Sequence, residues 1–321
     1  MVADARAMES ERTDERRAEG AVAEAENTLE AGRLIRLIGV GKRYVDDGRA
    51  LPALSSIDLD IDAGDFVAVM GPSGSGKTTL LSAIGGMNPV SEGTVLIDGI
   101  DIYGISGDRL ADYRNAFLGF IFQQHHLLPH LTAQENVLLA AAMNNPDGSA
   151  LQAAMDALER VGLLDKAHRL PGELSGGEQA RVAIARALMR NPPIVLADEP
   201  TGTLDSKTGH QILALLRHLN DQGHTVVMVT HSEEAARYAR RVVRLTDGRI
   251  VSDETRETGG TGHQCGGSLQ ERALAEARRS FANARRTTSR VISYAVTAAL
   301  VLQGVLILYL VLQGLTGPLE H

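Results

Sequence analysis

The sequence predicts an α/β fold in which helices cover a mainly parallel β-sheet. Three short runs are continuously apolar, as expected of strands buried on both faces: residues 66–70 (FVAVM), 194–197 (IVLA) and 225–229 (TVVMV). Helix-like stretches lie between these runs, at residues 150–161 and 178–189. Buried strands that alternate with helices are typical of a parallel sheet covered on both sides.

The first part of this body predicts a second kind of sheet. Residues 57–61 (IDLDI) alternate strictly between apolar and acidic side chains, which is the pattern of a half-buried strand. Residues 35–40 and 94–97 are short runs rich in β-branched side chains, separated from it by Gly and Asp. We expect these three strands to form an antiparallel portion beside the parallel sheet.

Composition excludes several classes of protein. The chain has 321 residues, 44% apolar and 22% charged, which is close to the globular average and leaves room for about two domains. The net charge of −8, with six Tyr, five Phe and no Trp, argues against a nucleic-acid partner. The single cysteine, Cys265, has no second thiol to pair with, which fits a reducing compartment.

The two ends of the chain differ strongly in charge and polarity. Residues 1–31 hold nine acids against four Arg, which indicates a disordered or loosely helical acidic tail. Residues 255–290 hold seven Arg against three Glu. Residues 291–315 contain no ionisable acid or base and, as a helix, would be about 37 Å long. That length favours a transmembrane helix over a buried core helix.

These features predict five segments. They are an acidic tail (1–31), the α/β body (32–254), a Gly-rich linker (255–268), a basic amphipathic juxtamembrane helix (269–290) and a transmembrane helix (291–315). An ordinary charged linker helix is the alternative for 269–290. Arg residues precede the last segment and none follows it, so the positive-inside rule predicts a cytoplasmic α/β body at an inner or plasma membrane.

The first chemical motif joins a buried strand to a helix. After FVAVM comes GPSGSGKTT, which is the complete phosphate-binding loop pattern of P-loop NTPases. Its glycines let backbone N–H groups curl around phosphate oxygens, and the following helix N-terminus favours negative charge. Lys77 would reach the β- and γ-phosphates of ATP, and the Thr78 hydroxyl would ligate Mg²⁺. We expect the nucleotide to contact Gly71, Pro72, Ser73, Gly74, Ser75, Gly76, Lys77, Thr78 and Thr79.

A pair of acids ends another buried strand. Asp198 and Glu199 follow IVLA directly. In a P-loop NTPase the first acid would hold Mg²⁺, and the second would polarise the attacking water or accept its proton. Two adjacent carboxylates at a strand end also occur as simple helix-capping acids, which is the alternative for this pair.

A third motif narrows the class. Residues 174–179 read LSGGEQ and precede a helix-like stretch, ARVAIARALMR. With this motif the chain resembles the ABC-transporter ATPase family, whose order and spacing fit from about residue 34 to residue 253. The resemblance implies a RecA-like core, an antiparallel β subdomain and a helical subdomain. It also implies that Ser175, Gly176, Gly177 and Glu178 close over ATP held by a second copy in a head-to-tail dimer.

The resemblance implies roles for four further residues. Tyr44 resembles the residue that stacks on adenine, although a half-exposed strand tyrosine is the alternative. Gln123 resembles the glutamine that senses Mg²⁺ and the attacking water, with Gln124 as the adjacent competitor. Asp205 resembles the aspartate at the dimer interface. His231, after TVVMVT, resembles the histidine that contacts the γ-phosphate.

Within that family, the stretches around Gln123 and Asp205 resemble one branch. It serves lipoprotein release, macrolide and peptide export, and FtsE-like cell division. Thr203 departs from the branch, in which Asn or Ala is commoner at this place. The resemblance implies an ATPase that drives a separately encoded permease exporting or extracting a lipoprotein, peptide or drug-like substrate. The alternative is a signalling ATPase that switches an extracytoplasmic cell-wall hydrolase without transport.

Overall fold

The computed structural model describes residues 33–46, 49–140, 149–256 and 270–282. The strands are β1 (Arg33–Asp46), β2 (Arg49–Asp62), β3 (Phe66–Met70), β4 (Glu92–Ile97), β5 (Ile100–Asp101), β6 (Leu118–Ile121), β7 (Ile194–Asp198), β8 (Thr225–Thr230), β9 (Arg241–Thr246) and β10 (Arg249–Thr255). The helices are α1 (Lys77–Ile84), α2 (Gly107–Phe117), α3 (Ala133–Leu138), α4 (Ser149–Arg160), α5 (Gly176–Leu188), α6 (Ser206–Asp221), α7 (Glu233–Ala236) and α8 (residues 270–282).

A six-stranded sheet forms the centre of the described body, in the order β10-β9-β3-β8-β7-β6. Neighbouring strands from β9 to β6 run parallel, and β10 pairs antiparallel with β9 at the edge. Every residue of β3 and β8 is buried, as their continuous apolar sequences predict. The mainly parallel sheet predicted from the sequence is therefore confirmed.

A second sheet lies in the first part of the chain. Its four described strands have the order β2-β1-β4-β5, and all their pairings are antiparallel. The pairing of β1 with β2 is interrupted by register shifts, among them one on each side of Lys42. The predicted strand at residues 57–61 is part of β2, with Ile57, Leu59 and Ile61 buried on one face.

Helices α3, α4 and α5 pack against one another beside the parallel sheet. Their apolar side chains join the main core, which continues onto β7, β8 and α6. Helix α3 begins with a capping box in which Thr132 and Glu135 each accept a hydrogen bond from the other's backbone N–H. These helices are the helical part that the family resemblance implies.

The chain divides into two compact units, Met1–Ala277 and Arg278–His321. Helix α8 begins in the first unit, where Ala273 and Ala277 are buried, and its last described residues belong to the second. The acidic tail 1–31, residues 257–268 of the predicted linker 255–268 and the predicted transmembrane helix 291–315 lie outside the described residues. Thr255, the first residue of the predicted linker, is instead the last residue of β10, because it still pairs with Arg241 of β9. In the part of the chain that is described, no helix is long and apolar enough to span a bilayer.

Candidate functional site

The strand order gathers the sequence-predicted residues at one edge of the large sheet. Strands β3, β8, β7 and β6 are parallel neighbours, so the loops after them leave from the same edge. The phosphate-loop pattern follows β3, His231 follows β8, Glu199 follows β7 and Gln123 follows β6. The carboxyl edge of a parallel sheet is where α/β proteins bind ligands.

The loop at residues 71–76 curls tightly before α1. Gly76 has a left-handed backbone (φ 99°), and a Cβ there would stand 2.4 Å from the Ala53 carbonyl oxygen, so only glycine fits. Lys77 is buried, and its Nζ donates to the carbonyls of Gly71 at 2.9 Å and Pro72 at 2.8 Å. The lysine charge is thus held inside the curl of the loop.

The rest of the loop differs in exposure. Pro72, Ser73, Gly74 and Thr78 are exposed, while Thr79 is half-buried. Ser75 is buried, and its Oγ has no hydrogen-bond partner in the described structure. Burying a hydroxyl without a hydrogen-bond partner costs free energy in a protein core. In a loop that binds a polar ligand, the ligand can supply the missing partner.

Asp198 and Thr78 meet beside the loop. The Thr78 hydroxyl donates to Asp198 Oδ1 at 3.3 Å. Burial raises the pKa of Asp198, and the neighbouring Glu199 charge adds to this, while the Thr78 hydrogen bond and the Lys77 charge oppose it. A hydroxyl beside a partly buried carboxylate fits Mg²⁺, which prefers hard oxygen ligands and needs few of them from the protein. The described residues contain no cluster of three His, Cys, Asp or Glu side chains suited to a metal ion.

Glu199 lies at the centre of the edge. His231 Nδ1 is 3.0 Å from Glu199 Oε1. The Glu199 backbone is left-handed (φ 44°), which is uncommon outside glycine, and its N–H donates to the Val229 carbonyl at 2.9 Å. The Glu199 side chain is 21% exposed and that of His231 is 65% exposed. The carboxylate is therefore recessed, and the imidazole stands at the surface.

Gln123 reaches the same point from β6. The position that a Cβ on Gly202 would take lies 3.1 Å from Gln123 Nε2 and 3.3 Å from Glu199 Oε2. The amide and the carboxylate therefore converge over a glycine that has no side chain to keep them apart. Gln123 itself is exposed. A groove of about 330 Å³ adjoins it, lined by Phe120, Phe122, Asn115, Arg186 and Arg190 among others.

Tyr44 belongs to the antiparallel sheet, which hydrogen bonds connect to the phosphate loop. The Ser55 N–H donates to the Gly248 carbonyl at 2.8 Å, and the Gly248 N–H donates to the Ser75 carbonyl at 3.0 Å. Tyr44 is 41% exposed near the end of β1, and Lys42 Nζ lies 5.1 Å from its ring centroid. The adenine-stacking role stays a prediction.

The LSGGEQ motif begins α5. Ser175 caps the helix by accepting the Glu178 N–H, and Glu178 accepts the Ser175 N–H at 2.8 Å in return. The hydrogen bond from Lys166, with those from Ser175, lowers the pKa of Glu178 to about 2. Gly176 and Gly177 form the first turn, and a Cβ on Gly177 would stand 2.3 Å from Thr208 Cγ2.

Asp205 is the N-cap residue of helix α6. It accepts the Thr208 N–H at 3.0 Å and the Thr208 hydroxyl at 2.6 Å, and these bonds lower its pKa. Thr208 therefore contacts both Asp205 and the first turn of α5. No hydrogen bond of the described residues joins Ser175 to the phosphate loop. The structure thus links Gly177 to Asp205 through Thr208, and it places Asp205 in one pocket with Glu199 and His231.

Comparison with known proteins identifies the family. The ABC transporter family model matches residues 54–202. Among solved structures, the dimeric ATP-binding cassette MJ0796, described as a post-hydrolysis state bound to ADP and Pi, is 43% identical with a TM-score of 0.65. The match covers 70% of this chain and 100% of MJ0796. The chain belongs to the ABC transporter family. Its described body is an ATP-binding cassette of the ATPase type.

Curated relatives of this ABC transporter cassette carry one recurring name, "Macrolide export ATP-binding/permease protein MacB". The protein from Paracoccus denitrificans (strain Pd 1222) is 48% identical over 227 residues, which are 70% of this chain and 34% of the relative. The protein from Burkholderia cenocepacia (strain HI2424) is 44% identical over 221 residues, 68% of this chain and 32% of the relative. The chain thus spans about a third of the length of these relatives. They do not favour the cell-division signalling alternative.

Several features of the cassette were not anticipated from its sequence. Two contacts join residues that are not neighbours in sequence, so no local sequence pattern predicts them. They are the ion pair of Lys166 with Glu178 and the contact of Gly177 with Thr208. The caps of α5 and α6 could be predicted from sequence, because Ser175 and Asp205 are preferred N-cap residue types and Ser175 with Glu178 matches the capping-box pattern. No sequence pattern predicts the left-handed backbone of Glu199.

Proposed function

We propose that this chain binds Mg²⁺–ATP at the phosphate loop and hydrolyses it with Glu199 as the group that orients or deprotonates water. The proposal rests on one observation: Glu199, His231 and Gln123 converge at the sheet edge from which the phosphate loop leaves. An ATPase needs these groups next to the phosphates, because phosphoryl transfer depends on positioning and on electrostatic stabilisation.

Each residue has a task that its position supports. Lys77 is held by two carbonyls in the loop and would exchange them for β- and γ-phosphate oxygens. Glu199 would hold the attacking water, and His231, in contact with that carboxylate, would fix its orientation and meet the γ-phosphate. Gln123 would complete the water site. Tyr44 would stack on the adenine.

Thr78, Asp198 and Gln123 are the residues that would hold Mg²⁺. Their oxygens are the hard ligands that this ion prefers, and burial has already raised the pKa of Asp198. When bound, the ion neutralises negative charge on the β- and γ-phosphate oxygens. A cation beside Asp198 would stabilise its charged form and offset the effect of burial.

The working form is a head-to-tail dimer of two copies of the chain. Ser175 and Gly176 are exposed at the N-terminus of α5, an orientation that suits an anionic phosphate of a second subunit. MJ0796 is described as dimeric, which supports the same arrangement here. Each site would then combine Lys77 of one copy with Ser175 of the other, and Asp205 would lie at the interface.

ATP turnover would drive separately encoded permease subunits in an inner or plasma membrane, with the cassette on its cytoplasmic side. The relatives' name pairs an ATP-binding part with a permease and supports an export function. The permease would bind at the groove beside Gln123. This groove is lined by apolar rings and by two Arg side chains, namely Phe120, Phe122, Arg186 and Arg190. Residues 291–315 would anchor the chain as a single-pass helix, preceded by the basic segment 269–290. The exported molecule would be a lipoprotein, a peptide or a drug-like compound.

The head-to-tail arrangement is tested with mixed dimers of two differently tagged chains. One mixture carries Lys77→Ala in one chain and Ser175→Arg in the other; the second carries both changes in the same chain and none in the partner. If the sites are shared between copies, the first mixture keeps one intact site and the second keeps none.

The measurement is ATP turnover of the two purified mixtures beside the unmodified dimer. The proposal expects about half of the unmodified rate from the first mixture and a rate near the background from the second. Sites built within one chain would reverse this order, because the second mixture would then keep one wholly unmodified subunit. A reversed or equal result would contradict the shared site.

A further inference from the structure

Lys42 covers one side of the Tyr44 ring. The two residues are two apart on β1, and Lys42 Nζ lies 5.1 Å from the centroid of the ring. The same Nζ donates to the Pro89 carbonyl at 2.6 Å. The ammonium group is therefore fixed between the loop that precedes β4 and the aromatic ring. Contacts of this kind attract a cation to the ring face.

The strand around Lys42 is shaped to make this contact. Its pairing with β2 changes register on both sides of Lys42, and such irregularities bend a strand and re-aim its side chains. The next residue, Arg43, is attached to the same loop, because its N–H donates to Ser91 Oγ at 3.0 Å and its guanidinium pairs with Glu92 at 2.6 Å. The backbone that carries Lys42 and Tyr44 is thus anchored to the segment from Pro89 to Glu92.

The Tyr44 side chain is also partly exposed to solvent. Tyr44 is 41% exposed, although Lys42 lies over it. Its cross-strand partner Leu51 is 52% exposed and offers an apolar neighbour. Because Lys42 lies over one face of the ring, the opposite face is the one on which a planar base could stack.

We propose that Lys42 is a positioning residue for the nucleotide base, which holds Tyr44 so that a purine stacks on the face opposite Lys42. The inference rests on the proposed function, since it takes Tyr44 as the stacking residue. Lys42 would act before ATP arrives, by restricting the ring to the orientation that stacking needs. Restricting a binding group in its bound conformation lowers the entropic cost of binding.

The test separates the base from the phosphates. Equilibrium binding of Mg²⁺–ATP and of Mg²⁺–tripolyphosphate, which has no base, is measured for the whole unmodified chain and for Lys42→Met. Exposed cation–ring contacts correspond to about a two- to fivefold change in affinity. We expect ATP affinity to fall by about that factor in Lys42→Met, tripolyphosphate affinity to stay unchanged, and Lys42→Arg to restore ATP binding.

Two controls make the result specific. Arg49→Met removes a positive charge from the facing strand, and the described structure shows no stacking of Arg49 on Tyr44. ATP affinity should be unchanged in this variant. In a Tyr44→Leu background, adding Lys42→Met should lower ATP affinity no further, because the ring that Lys42 holds is already gone.

Three results would overturn the inference. Equal losses for ATP and tripolyphosphate would mean that Lys42 acts through its charge on the phosphates. An unchanged ATP affinity would mean that the contact with Tyr44 has no effect on binding. Additive losses in the Tyr44→Leu background would exclude action through the ring. Failure of the unmodified chain to bind ATP would instead contradict the proposed function.

Discussion

His231 Nδ1 and Glu199 Oε1 lie 3.0 Å apart, although the two residues are 32 positions apart in sequence. Strand pairing explains this contact. In the register of β7 with β8, Asp198 is opposite Val229, so the next residues of both strands leave the sheet together. The Glu199 N–H then donates to the Val229 carbonyl and turns its side chain toward the loop that carries His231. The imidazole is therefore within hydrogen-bond distance of the carboxylate.

Loss of His231 should lower turnover and leave ATP binding intact. In His231→Ala the Glu199 carboxylate loses the partner that fixes its orientation, while the phosphate loop is untouched. We expect the single-turnover rate of ATP hydrolysis to fall by about 10²- to 10⁴-fold, with the dissociation constant of ATP within about twofold of the unmodified value.

The matched control for His231 is His218→Ala. His218 is exposed on α6, where it contacts Gln222. Its removal should leave both the rate and the affinity unchanged. A His231→Ala variant that hydrolyses ATP at the control rate would remove His231 from the proposed mechanism.

Gly177→Ala should destabilise the cassette. The added Cβ would stand 2.3 Å from Thr208 Cγ2, and Thr208 cannot rotate away without breaking its hydroxyl bond to Asp205. Crowding of this kind costs about 1–3 kcal/mol of unfolding free energy. Chemical denaturation of the unmodified chain and the variant measures the difference.

Two companions of Gly177→Ala test the cause of the loss. In Gly176→Ala the nearest atom is Leu204 Cδ2 at 3.6 Å, an ordinary contact, so stability should be nearly unchanged. Adding Thr208→Ser to Gly177→Ala removes the crowding methyl and keeps the hydroxyl for Asp205. This double variant should recover most of the lost stability; a double variant as unstable as Gly177→Ala would show that Thr208 Cγ2 is not the obstacle.

His224 should make the protein less stable in mild acid. Its ring is buried, Nδ1 donates to the Pro192 carbonyl at 2.7 Å, and Nε2 accepts from Arg160 at 3.0 Å, which requires a neutral imidazole. Burial, with the Arg160 charge, lowers the pKa of His224 from 6.5 to about 4. As the pH falls, the unfolded chain takes up the proton at a higher pH than the folded chain does. The contribution of neutral His224 to the free energy of unfolding is therefore complete above about pH 6.5 and is lost as the pH falls toward 4.

The size of this acid effect is at most about 3 kcal/mol, from 1.36 kcal/mol for each pKa unit. Unfolding free energies measured between pH 7.5 and about pH 4.5 should therefore fall less steeply for His224→Gln than for the unmodified chain. His218→Gln, on the exposed face of α6, should keep the unmodified slope. Parallel pH profiles for His224→Gln and the unmodified chain would contradict a neutral buried His224.

Much of the scaffold followed from local sequence patterns. The runs at residues 66–70 and 225–229 predicted β3 and most of β8, because a strand buried on both faces has few polar side chains. Helix α5 begins at Gly176, two residues before the predicted start at 178, since the capping box of Ser175 and Glu178 sets the helix boundary. The motifs also named the residues that meet at the sheet edge.

What the sequence did not reveal depends on contacts between distant segments. The sequence indicates that Gly177 lets a phosphate approach the backbone. Its close packing on Thr208 could not be predicted, because that contact depends on where α6 lies. Glu199, whose backbone is left-handed, donates its N–H to Val229 on the neighbouring strand, a contact between segments distant in sequence. Lys42 meets Pro89 and Tyr44 only through the irregular pairing of β1. Such features follow from tertiary packing, which local propensity does not encode.

The most direct test of the ATPase account is the steady-state rate of ATP hydrolysis by Glu199→Gln beside the unmodified chain, with ATP binding measured on the same samples. Glutamine keeps the shape of the side chain but cannot accept a proton from water. The account predicts a rate about 10²- to 10⁴-fold lower with ATP binding retained, and an unchanged rate for Glu254→Gln on the exposed strand β10. A Glu199→Gln rate close to that of the unmodified chain would contradict it.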